Sequence, residues 1–320
     1  MPVHYKTTDK LSYVLANDYR LLQVMSRFGI TLGFGEKTIE QVCQQCGVDT
    51  ATFLAVINYV KDGATPVQQD VDDVSVPSLL DYLRHTHRYF LDYLFPHIRF
   101  HLLNAIDCSE KNEIAFLVLK FFDEYVEEVR KHMDYEETTV FAYVCRLVAN
   151  QALPVDRGHL LSKHNESINS KLRELKKLFI QYYPQTENNE RLNSVIISIY
   201  QAEEDLAIHC NVEDYIFAPA VHKLERGRDD RVVSLSGEES QSNSQGTLST
   251  ELSAREQEIV VCVARGLSNK EIADKLCLSV NTVTTHRRNI ARKLQIHSPS
   301  GLTIYAIVNK LVTLSEVGAV

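Results

Sequence analysis

The run VLKFFDEYVEEVRKHMDYEETTVFAY, residues 118–143, decides the fold. Val118, Phe121, Tyr125, Val129, His132, Glu136, Val140 and Tyr143 recur at steps of three and four, the period of one face of an α-helix. That face is apolar except at His132 and Glu136. Residues four apart share a helix face, so an imidazole and a carboxylate leave this stripe together. A second run, LNSVIISIYQAEEDLAIHCNVE at residues 192–213, repeats the pattern: Leu192, Val195, Ile199 and Leu206 lead to His209 and Glu213. Twelve histidines and 24 glutamates in 320 residues give about one HxxxE pair by chance. Spacing alone therefore carries little, and the position of both pairs on apolar stripes carries the argument.

Two further helical patterns flank these runs. One holds Leu79, Leu83, His87, Phe90 and Leu94; Ser75 and Pro77 open it as a cap followed by a first-turn proline, and Pro96 is expected to kink it. The other holds Leu161, His164, Ile168, Leu175 and Phe179. Four amphipathic helices in succession predict a four-helix bundle over residues 75–225. Strand alternation is nearly absent, so the fold class is all-α. Residues 1–65 read as a small helical unit around Leu21, Leu22, Met25, Phe28, Ile39, Val42 and Phe53, bounded by Pro66, Asp70, Asp72 and Asp73. Residues 226–250, RGRDDRVVSLSGEESQSNSQGTLST, read as a flexible linker whose ends lie roughly 25 to 30 Å apart. Compact short helices resume over residues 251–320.

A composition of 44% hydrophobic and 24% charged residues suits a soluble globular protein with a real core. No stretch approaches the roughly 18 apolar residues that span a bilayer, and the N-terminus has no secretory pattern. The expectation is a cytoplasmic protein with no membrane contact. Seven scattered cysteines fit reduced thiols. A formal charge of −8 argues against a protein that coats nucleic acid, so any DNA contact must be local.

Burying an ionised carboxylate in a helical core costs several kcal/mol unless it is paired, protonated or bound to metal. His87, His132, Glu136, His164, His209 and Glu213 all fall on inward stripes. Such a nitrogen and oxygen set suits a pair of iron ions, each with two imidazoles and both bridged by the carboxylates, leaving positions for a small ligand. The same donors accept manganese. A hydrogen-bonded polar layer is the rival reading. His85 competes with His87, and His159 with His164; the phase of Leu83 with Phe90, and of Leu161 with Ile168, favours the second of each pair. Cys43 and Cys46 form a CxxC with no second pair to complete a zinc site, so helix packing accounts for them. Cys210 reads as a buried structural thiol.

Residues 78–225 resemble hemerythrin-like domains, and among them the di-iron proteins of iron-sulphur-cluster repair; HMDYEETTVF and HCNVEDYIFAP carry the likeness, with His87 and His164 completing the order His, HxxxE, His, HxxxE. The resemblance implies iron ligands at His87, His132, Glu136, His164, His209 and Glu213, and reaction with dioxygen or nitric oxide. Residues 10–62 resemble the N-terminal domain of the same repair proteins. Where that family has adjacent cysteines followed by glycines, this chain has Leu32, Gly33, Phe34 and Gly35, so the family's thiol chemistry is not implied here.

Toward the C-terminus, Ser253 with Glu256 and Ser268 with Glu271 make capping boxes, and Gly266 can close the intervening helix. A third helix, VNTVTTHRRNIARKL after Ser279, turns Val283, Ile290 and Leu294 inward and Thr284, Thr285, Arg288 and Arg292 outward. Hydroxyls and arginine on a helix held by two others fit the major groove. The run LSAREQEIVVCVARGLSNKEIADKLCLSVNTVTTHRRNIARKL, residues 252–294, resembles the LuxR-type helix-turn-helix. That implies base-edge contacts from Thr284, Thr285 and Arg288. It implies phosphate contacts from Asn269, Lys270, Thr282, Arg287, Arg292 and Lys293, a packed His286, and a dimer contact in the helix opened by Ser298 and Pro299.

Together these features predict a one-component transcription regulator whose di-iron domain senses dioxygen, nitric oxide or iron and redox state. No catalytic residue is assigned. The expected partners are double-stranded DNA, a second copy, RNA polymerase and a small gaseous ligand. The rival is an enzyme: a di-iron protein that reacts with nitric oxide or repairs iron-sulphur clusters, fused to a DNA-binding domain. A third reading makes the bundle a metal-free partner module.

Overall fold

The computed structural model describes residues 4–63, 73–106, 113–151, 166–182, 190–229, 252–276, 278–294, 296–313 and 316–317. Every named element among them is helical, and the extended pairing they show is an isolated bridge between Lys10 and Thr38. The protein is all-α. In chain order the helices are α1 Leu11–Asn17, α2 Leu21–Arg27, α3 Ile39–Cys46, α4 Thr50–Asp62, α5 Val76–Arg88, α6 Phe95–Ala105, α7 Glu113–Tyr135, α8 Phe141–Val148, α9 Glu166–Tyr182, α10 Glu190–Val212, α11 Ala218–Asp229, α12 Ala254–Ala264, α13 Asn269–Leu276, α14 Val280–Leu294 and α15 Pro299–Val308. No helix among the described residues is long and apolar enough to cross a membrane.

The chain forms two compact units. One comprises Met1–Leu94, Arg130–Asn165 and Glu204–Gly237; the other comprises Phe95–Val129, Glu166–Glu203 and Glu238–Val320. In the first, Leu21, Met25, Ile39, Val42 and Phe53 share one core with Leu79, Tyr82 and Leu83 of α5, Val144 and Leu147 of α8, and Ile216 and Phe217. Phe28 lies between the Phe53 and Tyr82 rings, edge-on to one and stacked on the other. Leu22 departs from the expected core at 42% exposure, because the seven-residue α2 turns only one narrow face inward and Leu21 and Met25 fill it. Cys43 lies in this core, and burial pushes its thiol up to about 11, whereas Cys46 is exposed. In the second unit, Phe95 of α6 meets Phe122 and Tyr125 of α7 edge to face. Leu172, Leu175, Leu178 and Phe179 of α9 are buried, as are Leu192, Val195 and Ile199 of α10.

Local chemistry sets the helix starts. Ser75 accepts the Ser78 N–H with Pro77 in the first turn of α5, and Thr38 with Gln41 forms a capping box on α3. Each such cap contributes about 1 kcal/mol.

Three helices widen into a π turn where their ligand-type residues stand: Tyr89–Leu94 after α5, Glu136–Val140 after α7 and Glu213–Phe217 after α10. Pro96 and Pro219 lack the N–H that would bond the carbonyl four residues back, and those carbonyls, of Asp92 and Tyr215, lie inside two of these turns. In the third, the Thr138 hydroxyl donates to the Asp134 carbonyl at 2.7 Å. A π turn holds extra chain and slips the helical phase. Leu94, placed by the stripe in the core, is accordingly half-buried.

Candidate functional site

The π turns assemble a cluster of donors in the first unit. His87 stands in the last turn of α5, His132 and His209 in the last turns of α7 and α10, and Glu136 and Glu213 at the heads of the π turns that follow. One ligand-type atom from each of His87, Glu136, His209 and Glu213 lies within 4.8 Å of all the others. Nε2 of His87 is 3.4 Å from Glu136 Oε2, Nε2 of His209 is 3.4 Å from Glu213 Oε1, and Nε2 of His132 is 2.9 Å from Glu136 Oε1. Those three imidazole nitrogens lack hydrogen-bond geometry to any partner. His209 is 1% exposed, and both of its ring nitrogens are unsatisfied. His164 lies outside the described residues.

The surroundings fix these side chains. Nδ1 of His87 is hydrogen-bonded to Glu137 at 3.1 Å, which leaves Nε2 facing the cluster. Phe141 stacks on the His87 ring at 5.3 Å, and the His209 ring meets His87 edge-on at 5.1 Å. Asp205, one turn before His209, holds the Arg27 guanidinium of α2 in a two-pronged ion pair, with one bond of 2.8 Å. Arg27 is 3% exposed and also lies over the Tyr89 and Phe90 rings.

The electrostatics separate the members. Burial drives His209 well below the usual imidazole range, helped by positive charge at His87, so it is neutral, as a metal ligand must be. Burial alone would raise Glu136, but His132 and His87 outweigh it and lower the carboxyl to about 2. His87 is pulled down by burial and up by Glu136 and Glu137, and ends raised. Two imidazoles and two carboxylates, one imidazole orphaned in a dry interior, fit a transition-metal cation better than a self-satisfied polar layer.

Two participants escaped the sequence reading. Glu137 lies off the inward stripe, and only the adjacency of two glutamates beside an HxxxE marked it. Arg27 carried no signal, since its partner is 178 residues away.

In the second unit, α12, α13 and α14 enclose Ile259, Val260, Ile272, Val283, Ile290 and Leu294. Ser253 with Glu256 caps α12, Ser268 with Glu271 caps α13, and Ser279 accepts the Thr282 N–H at 3.0 Å ahead of α14. Gly266 takes φ 79, the left-handed conformation that closes α12. Thr284, Thr285 and Arg288 are exposed along α14. Both threonine hydroxyls donate back to carbonyls at 3.0 Å and keep their lone pairs outward. Lys270 is exposed. Arg287 is half-buried and donates to Asn269 Oδ1 at 2.6 Å, tying α13 to α14. Lys293 meets Glu256 at 2.8 Å, Thr282 pairs with Ser279, and Arg292 donates to Asn289 at 3.2 Å.

Residues 250–306 match the family of bacterial regulatory proteins of the luxR type, and residues 78–221 match the hemerythrin HHE cation-binding domain. The chain therefore carries a LuxR-type helix-turn-helix domain and a hemerythrin-type domain. It is similar to the oxygen regulatory protein NreC of Staphylococcus carnosus strain TM300, at 48% identity over 60 residues, 19% of this chain and 28% of that protein. The same figures hold for the oxygen regulatory protein NreC of Staphylococcus aureus strain JH9. The chain thus spans 28% of the length of these relatives. No solved structure matches.

Proposed function

We propose that this chain, which joins a LuxR-type reader to a hemerythrin-type domain, is a DNA-binding transcription regulator that senses dioxygen, nitric oxide or iron and redox state. One observation supports the sensor above all: the buried His209 ring with two unsatisfied nitrogens, facing His87, Glu136 and Glu213, in a chain that also carries a DNA reader. His87, His132, Glu136, His209 and Glu213, with His164, would hold two iron ions. Bound iron would supply a redox-active cation with coordination positions for a diatomic gas.

The chain's own residues do the rest. Glu137 orients His87, the Arg27–Asp205 pair braces the helix that carries His209, and Phe141 and Phe90 exclude water. On the DNA side α14 enters the major groove, Thr284, Thr285 and Arg288 reach base edges, and the basic and amide side chains from Asn269 to Lys293 position the backbone. The NreC relatives match over 60 residues, about the length of the reader, so their name supports DNA-linked regulation and leaves the signal to this chain's own bundle. A regulator that works on chromosomal DNA would act in the cytoplasm, with a second copy and RNA polymerase as its partners.

The test is duplex affinity of the full chain in apo, diferrous, oxidised and nitrosylated forms, with metal content measured on each and on His209→Ala. The expected result is metal bound by the wild type, little by the variant, and an affinity that differs between forms. Equal affinity in all four forms would remove the sensing role.

A further inference from the structure

The corner between α14 and α15 is gripped by helices of the hemerythrin-type region. Glu174 of α9 is 1% exposed. Its Oε1 accepts the Ser298 hydroxyl at 2.6 Å, and its Oε2 accepts the His297 and Ser298 N–H groups at 3.0 and 3.4 Å. One turn on, the Lys177 ammonium donates to the Leu294 carbonyl at the end of α14. From α7, Glu124 accepts the Ser300 hydroxyl at 2.7 Å. The fit is close: a Cβ added to Gly301 would lie 1.9 Å from Glu174 Oε1 and 2.9 Å from both Ile296 Cγ2 and Ser298 Oγ. Helix α15 packs on α12 and on α9. It is apolar nearly all round, with Ser300, Leu302, Thr303, Ile304 and Ala306 all buried, as a helix covered on two sides must be.

Charge gives this grip a consequence. From Leu252 onward the chain has nine Lys and Arg against five Asp and Glu, so the preceding 251 residues carry twelve more acidic than basic side chains. Helix α7, in contact with α15 through Glu124, also bears Glu127, and its Asp123 and Glu128 are ion-paired to Arg99 and Lys171. Negative charge held against the reader repels duplex phosphates over a Debye length, about 8 to 10 Å at ordinary salt.

We propose that α7 and α9 form an intramolecular dock that restrains the DNA reader, with buried Glu174 as its bolt. This rests on the DNA-reading function proposed above and names its control. Helix α7 of the dock also carries His132, proposed above as a ligand. Glu124 stands eight residues, about 12 Å of helix, before His132 on that helix. A change at His132 can thus reach Glu124 along one continuous helix.

The experiment compares the full-length wild type with Glu174→Ala, which alters only the bundle side, and Gly301→Ala, which alters the reader side. Far-ultraviolet circular dichroism checks that each remains folded. Hydrogen exchange is read over residues 296–308, and affinity for duplex DNA is read at low and moderate salt. Both variants are expected to speed exchange there about tenfold or more and to bind duplex several-fold more tightly, most clearly at low salt. Unchanged exchange in a folded Glu174→Ala would overturn the dock. Faster exchange with unaltered affinity would overturn the restraint. A wild type and variants that all fail to retain duplex would instead sink the DNA-reading function, and the restraint with it.

Discussion

A buried side chain whose polar atoms find no partner is a cost the fold carries for some other reason, and His209 is the clearest case here. Replacing both hydrogen-bonding atoms with a hydrocarbon of similar size removes that cost. His209→Leu is therefore expected to raise the stability of the metal-free protein by about 1 to 3 kcal/mol in urea unfolding while abolishing metal binding. A loss of apo stability would show that the imidazole is satisfied in the native core. Arg27 and Asp205 behave oppositely, because the Asp205 carboxylate takes both terminal guanidinium nitrogens. Asp205→Ala strands the guanidinium in the interior and should cost about 3 to 5 kcal/mol. Arg27→Leu leaves a carboxylate with some access to water and should cost measurably less. The difference between the two, read from denaturant midpoints, tests whether the arginine is the member that needs its partner.

At the scale of the helix, the reader offers a pH test. Burial would raise the Glu256 carboxyl, but Lys293 and the Ser253 donors outweigh it and hold it below the usual range. A depressed carboxyl stabilises above its unfolded value, near 4.5, and that contribution is lost as pH falls through the folded value. Exchange protection of α12 should therefore decline on acidification in the wild type and respond less in Glu256→Gln. The elements themselves were largely legible: Val118, Phe121, Tyr125 and Val129 fall on one period and are buried together. So were His87, Glu136, His209 and Glu213, because a polar residue on an apolar stripe is conspicuous by phase. The π turns were not, since they depend on which carbonyls go unbonded, and a strict 3.6 period continued past Phe90 misplaces Leu94. Pairings across 178 residues, such as Arg27 with Asp205, have no local pattern at all.

Over the whole molecule, the charge imbalance makes DNA binding a local event on an acidic protein. If Arg288 reads a base edge as proposed, Arg288→Ala should cost about 1 to 3 kcal/mol and relax sequence preference, whereas Lys270→Ala should weaken binding to all duplexes and reduce the salt slope by about one. Titrations at several salt concentrations distinguish the two, and identical behaviour would contradict the assignment of Arg288 to base edges. The π turns bear on how such a protein can vary. Each stands as one surplus residue in a helix that continues beyond it, and a helix advances about 100° per residue. Loss of a single codon within Glu136–Val140 would leave a continuous, hydrogen-bonded helix, yet swing everything on one side of the lesion away from its neighbours. Among relatives of this chain, an in-frame deletion there would mark a bundle that still folds and has lost its cluster of donors.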